Sequence, residues 1–137
     1  MSEKVAFELV SPEALVVSDE VDCVVVPSRS GDIGVLPGHA PVIAALRPGT
    51  ICIFENKAVA RRVFVAGGFA EVTAERCTVL AEDAVPFEDI SVTDVEQEVG
   101  DYRDDVAAAT EEAEKVAAEK KLEMALAKLA AIKDPPY

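Results

Sequence analysis

The chain has 137 residues, half of them apolar, with 13 basic and 26 acidic side chains and a formal net charge of −13. Length and apolar content predict one domain with a real core, carrying at most a small appendage, and exclude a disordered chain. The charge argues against nucleic acid and anionic lipid as direct partners, and no window approaches the ~20 apolar residues of a membrane helix.

The N-terminal run Met1-Ser2-Glu3-Lys4 has neither a secretory signal nor an Arg-rich transit peptide. A cytoplasmic protein is expected, reaching a membrane only through a protein partner.

The first 86 residues read as short strands broken by turns every eight to twelve residues. Val5, Phe7 and Leu9 alternate with Ala6, Glu8 and Val10, and Ser11-Pro12-Glu13 turns the chain. Strands are expected at Ala14 to Val17 and Val21 to Val26, with Ser18-Asp19-Glu20 between them. A loop from Pro27 to Pro41 follows. Within it, Gly31 to Pro41 packs three glycines, two prolines and the only histidine into eleven residues. Pro37-Gly38 is a natural type II turn pair, and Pro41 biases Ala40 toward extended backbone. Further strands are expected at Val42 to Leu46, Thr50 to Phe54, Ala58 to Val65, Phe69 to Thr73 and Cys77 to Ala81. Arg47-Pro48-Gly49, the hairpin turn Glu55-Asn56-Lys57 and Gly67-Gly68 punctuate them. About nine or ten strands suffice for two packed sheets.

The pattern changes after Pro86. Val92, Val95, Val99, Tyr102, Val106, Ala109, Ala113 and Val116 recur at alternating spacings of three and four, an apolar stripe at helical period. Ala118, Leu122, Ala125, Leu129 and Ile132 form a second stripe. Thr93-Asp94-Val95-Glu96 fits a capping box, and Pro135-Pro136 stops the helix near Lys133. A break near Ala107 to Thr110 would fold two helices into a hairpin. No Gly or Pro between 101 and 134 forces it, so one long helix is the alternative. The expected division is therefore a sandwich over 1–87 and helices over 88–137.

Charge divides with it. Residues 1–87 hold 12 acidic and 7 basic side chains, net −5; residues 88–137 hold 14 and 6, net −8.

Catalysis finds no inventory. His39 has no Ser or Cys partner motif beside it, and the sequence contains neither Gly-x-Ser-x-Gly nor His-Glu-x-x-His. Gly38 is followed by His39-Ala40, not by the Lys and hydroxyl of a phosphate-binding loop. Cys23, Cys52 and Cys77 lie far apart among β-formers and read as reduced thiols in the sandwich, not zinc ligands. The adjacent acids Glu82-Asp83 and Asp104-Asp105 diverge on any regular backbone, so no metal site is expected. What remains is the equipment of an interaction protein. A sandwich with a self-associating coiled-coil arm, drawn from the stripe between Val92 and Val116, is one reading. A small enzyme using His39 is the remote one.

Three segments carry a resemblance. They are Gly31-Asp32-Ile33-Gly34-Val35-Leu36-Pro37-Gly38-His39-Ala40-Pro41, Val65-Ala66-Gly67-Gly68-Phe69-Ala70-Glu71-Val72, and Thr78-Val79-Leu80-Ala81-Glu82-Asp83-Ala84. With Phe7-Glu8-Leu9-Val10-Ser11-Pro12, their order and spacing resemble the epsilon subunit of the rotary, proton-translocating F-type ATP synthase. The resemblance covers nearly the whole sequence. It implies an N-terminal antiparallel β-sandwich of about ten strands and a C-terminal α-helical hairpin. It implies a non-catalytic rotor part that binds the gamma subunit and the c-ring, and that meets the catalytic alpha and beta subunits transiently. The implied place is the cytoplasmic face of the bacterial inner membrane, held peripherally through the complex. Contact with the c-ring is expected at Ser30, Gly31, Asp32 and His39. Lys120, Lys121, Lys128 and Lys133 are candidates for meeting beta subunits. Some members bind ATP through a motif of Ile or Leu, Asp, two residues, Arg and Ala. The matching stretch here is Ile90-Ser91-Val92-Thr93-Asp94-Val95, with Ser for Asp and an acid for the cation. No nucleotide and no cofactor are therefore expected.

Overall fold

Alternation sets the first element. In β1, Val5–Val10, the side chains of Val5, Phe7 and Leu9 are at most 1% exposed while their neighbours are half-buried. The computed structural model describes residues 3–137. After β1 come β2 (Leu15–Val21), β3 (Cys23–Ser28), β4 (Gly31–Val35), β5 (Val42–Ala45), β6 (Gly49–Glu55), β7 (Ala58–Val65), β8 (Gly68–Val72), β9 (Arg76–Ala81) and β10 (Ala84–Pro86). They form two five-stranded sheets, in the orders β2-β1-β9-β8-β5 and β10-β7-β6-β3-β4. The inner faces pack Phe7, Leu9, Val24, Leu46, Ile51 and Val65 into one core, each at most 1% exposed. Every pair is antiparallel except β1 with β9, which runs parallel from Ala6↔Arg76 to Val10↔Leu80.

Four local expectations are corrected. Ser18-Asp19-Glu20 is not a turn but the outer half of β2, paired with Glu8, Phe7 and Ala6. The turn is Asp22, whose Oδ2 accepts the Asn56 amide at 2.8 Å. The expected loop from Pro27 is strand through most of its first half, because β4 pairs with β3 from Val24↔Val35 to Ser28↔Gly31. The hairpin after β6 uses two residues, Asn56 and Lys57, both at positive φ (54° and 66°), with Glu55 facing Ala58. A tenth strand, β10, pairs with β7 beyond the expected end of the set. The Pro37-Gly38 turn is present: Gly38 has φ 85°, and the His39 amide donates to the Leu36 carbonyl at 3.2 Å.

Two units form along the sequence, one reaching Phe87 and taking in Pro136–Tyr137, the other Glu88–Pro135. The second is a pair of packed helices, α1 (Val92–Ala108) and α2 (Glu112–Lys133). Their seam buries Val95, Val99, Ala118 and Ala125. The break falls at Ala109-Thr110-Glu111, so the hairpin forms without Gly or Pro. The N-cap of α1 is Ser91, not Thr93: its extended backbone (φ −93°, ψ 121°) lets Oγ accept the Asp94 amide at 3.3 Å. The three cysteines carry free thiols, Cys52 and Cys77 buried and Cys23 half-buried.

Candidate docking surfaces

The outer face of the first sheet carries a row of apolar side chains. Cross-strand partners share a face. The register links Leu15 to Val10, Val10 to Leu80, Leu80 to Phe69 and Phe69 to Ala45, one residue from each of the five strands. Leu15, Phe69 and Leu80 are 59%, 58% and 56% exposed, and Ile43, one pleat along β5, is 73% exposed. The far half of the same face is polar, with Glu71 and an Arg76–Glu8 ion pair at 3.4 Å. A contiguous apolar band rimmed by charge is the usual mark of a protein-binding surface. Single residues in this band looked unremarkable in the sequence. Only the register aligns them.

The second surface is the end of the sandwich where β3 turns into β4. Ser28 is buried and locks the turn: its Oγ donates to the Gly31 carbonyl at 2.5 Å and accepts the Ser30 amide at 3.2 Å. Arg47 crosses from the other sheet's connection. Its Nη1 donates to the Ser28 carbonyl at 2.5 Å and its Nη2 to Asp32 Oδ1 at 2.6 Å. Asp32 Oδ2 accepts from the Tyr137 hydroxyl at 2.9 Å. Between the edge strands β4 and β5 lies a groove of about 400 Å³, lined by residues 28–33 and 42–45. Ser30, Gly31 and Asp32 are thus brought together on a braced, solvent-facing rim.

His39 is not with them. It lies past the opposite end of β4, a strand whose five residues alone span roughly 16 Å. Its turn is pinned by the Gly38 amide donating to Ala74 at 2.8 Å, and His39 Nδ1 lies 2.6 Å from the Ala40 carbonyl. The expected four-residue cluster is therefore two sites at opposite ends. No group of three or more potential metal ligands occurs among the described residues.

The four lysines of α2 do not share a face either. Lys121 and Lys128 are seven residues apart and lie on one side; Lys120 and Lys133 point elsewhere. Lys121 lines a groove of about 400 Å³ within the helical pair, beside Asp105 and Glu114. The stretch from Ile90 to Val95 is committed to capping α1 through Ser91 and the Asp94 amide.

A ten-stranded sandwich followed by a helical pair, with an apolar band open to solvent across one sheet, defines an interaction subunit of a larger assembly. The family model for the β-sandwich domain of the ATP synthase delta/epsilon chain matches residues 4–87, and that for the C-terminal domain of the ATP synthase epsilon chain matches residues 92–136. The ATP synthase epsilon chain of Rhodospirillum centenum is 49% identical over 134 residues, covering 94% of this protein and 92% of the relative. That of Rhodospirillum rubrum is 47% identical over 133 residues, covering 97% and 99%. The protein belongs to the ATP synthase epsilon chain family, and so is a component of a rotary ATP synthase. The fold is shared with a polypeptide of the Euglena gracilis mitochondrial ATP synthase OSCP/F1/c-ring structure (TM-score 0.81, 22% identity, covering 94% of this protein and 81% of that one). It is shared also with a polypeptide of the Tetrahymena thermophila mitochondrial central stalk/c-ring structure (TM-score 0.63, 14% identity, covering 94% and 97%). No described helix is long and apolar enough to cross a membrane.

Proposed function

We propose that this protein is a rotor subunit with no chemistry of its own, binding the gamma subunit by its apolar band and the c-ring by its rim. It then turns with both and couples proton flow through the c-ring to ATP synthesis on the catalytic subunits. The observation that carries this reading is the row Leu15, Val10, Leu80, Phe69, Ala45, which crosses every strand of one sheet and stays open to solvent. A surface of that kind suits a large, permanent partner. The rim at Ser30, Gly31 and Asp32 is polar and rigid, which suits the polar loops of a ring. The protein works at the cytoplasmic face of the bacterial inner membrane, held there by the complex. The helical unit is a regulatory arm that meets the alpha and beta subunits transiently and is dispensable for coupling.

Capture of gamma and the c-ring tests the assignment. Phe69→Glu with Leu80→Lys is expected to abolish gamma binding with little change in melting temperature, since both side chains already face water and the new cross-strand pair is of opposite charge. Substitution of Asp32 is expected to weaken only the c-ring contact. Full gamma binding by the double variant sinks the reading.

A further inference from the structure

Pro136 and Tyr137, which follow the helical pair, return to the sandwich and sit with it as one unit. They touch three strands of the second sheet. The Tyr137 hydroxyl donates to Asp32 Oδ2 on β4 at 2.9 Å. The Tyr137 ring meets Phe54 of β6 edge-on, with centroids 5.9 Å apart at 71°. Arg62 Nη2 on β7 donates to the Tyr137 carbonyl at 3.0 Å, and the Cys52 thiol on β6 points to the Pro136 carbonyl at 3.6 Å. Yet Tyr137 stays 62% exposed. Several directed contacts with little burial describe a reversible dock, since polar bonds at such exposure are individually weak.

Asp32 stands at the junction. One oxygen holds Arg47 of the rim and the other holds Tyr137. Oδ2 keeps a second lone pair, so what a partner donor approaching Asp32 must displace is the bulk of the docked Tyr137 ring, held there against Phe54. We propose that Pro136–Tyr137 is a latch docked in cis on the second sheet, and that latch docking and engagement of Asp32 by a donor-bearing or basic partner loop exclude each other. The partner in question is the one assigned to the rim above, so this rests on that reading. Engagement of the rim then frees the latch, and a docked latch lowers the apparent affinity of the rim by the fraction of molecules that are open.

The latch is read in the protein carrying Tyr102→Phe, which leaves Tyr137 as the one tyrosine of this sequence. Asp32, Arg47, Cys52 and Arg62 are the titratable and charged groups around it. The Asp32 carboxylate, accepting its hydroxyl, raises the phenol above its ordinary value. Near-ultraviolet titration is expected to give a midpoint above that of free tyrosine, lowered toward the free value by Asp32→Asn. No change on Asp32→Asn overturns docking. In the second arm, Tyr137→Ala is expected to bind purified c-ring roughly fivefold tighter than the unaltered protein, with Tyr137→Phe between the two. An unchanged affinity in Tyr137→Ala overturns mutual exclusion while leaving the rim reading intact. Unchanged binding by Asp32→Asn, in contrast, overturns the rim reading and the exclusion together, with docking still judged by the titration.

Discussion

Gly68 is the position where the sandwich has no room for a side chain. Its φ is 113°, and an added Cβ would run into the Leu80 carbonyl and lie 2.8 Å from Ala81 Cα. Backbone atoms cannot swing aside. Gly68→Ala is therefore expected to destabilise the protein by at least ~2 kcal/mol, read as a lower urea midpoint. Cys77 illustrates burial of another kind. Its thiol is 0% exposed, and desolvation pushes it up to about 12. In a variant with Cys23→Ser and Cys52→Ser, the remaining thiol is expected to resist an aromatic disulfide reagent at pH 8 until the protein unfolds. Asp22, in the turn between β2 and β3, ties the sandwich to pH. The Asn56 amide, then Lys4 at 3.4 Å, hold its carboxyl below the ordinary 3.8. A depressed folded value means that its contribution is present above the ordinary value and is lost as pH falls through the folded one. Asp22→Asn is expected to flatten the loss of stability below pH ~4 relative to the unaltered protein, followed by thermal melting.

At the scale of elements, α1 offers two opposed tests. Gly100 lies inside the helix with open space where a Cβ would go, so Gly100→Ala is expected to stabilise the helical unit by ~0.5–1 kcal/mol. Ser91→Ala removes the cap and is expected to cost ~1 kcal/mol, both read by helical circular dichroism on heating. The cap also explains what the sequence concealed. Thr93 and Ser91 both have hydroxyls before a helical stripe, and only backbone geometry decides which residue lies outside the helix. Alternation made β1 legible because Phe7 and Leu9 face a core. It hid β4, since Gly31 and Gly34 depress strand propensity and the strand exists because β3 supplies its ladder and Ser28 its turn. The polar Ser18-Asp19-Glu20 resembled a turn because it belongs to an edge strand: Ser18 and Glu20 face outward, while Asp19, on the same face as Phe7, stays exposed at the sheet edge and pairs with Arg61 of the other sheet at 2.8 Å. The candidate rim was readable through its glycines. The apolar band was not, because its members come from five strands scattered between residues 10 and 80.

At the scale of the whole molecule, function and charge are divided differently. The helical half carries net −8 against −5 for the sandwich, while the exposed apolar band belongs to the sandwich. A variant ended after Phe87 is therefore expected to keep gamma binding in a pull-down, and loss of binding would argue that the arm contributes to assembly. The order of the first sheet has a separate consequence for how the molecule is made. β1 pairs in parallel with β9, so the first strand waits for nearly the last one. At ordinary synthesis rates, roughly 4–14 s separate them on the ribosome. Through that interval β1 and β2 exist as a lone hairpin, a form marginal in water. The sandwich is a slow, non-local folder, closing in milliseconds to seconds once β9 arrives, whereas the helical pair needs only neighbours in sequence. At the same rates the stretch from Ala81 to Lys133 takes roughly 3–10 s more, so the sandwich, slow as it is, can close before the helical pair has been made.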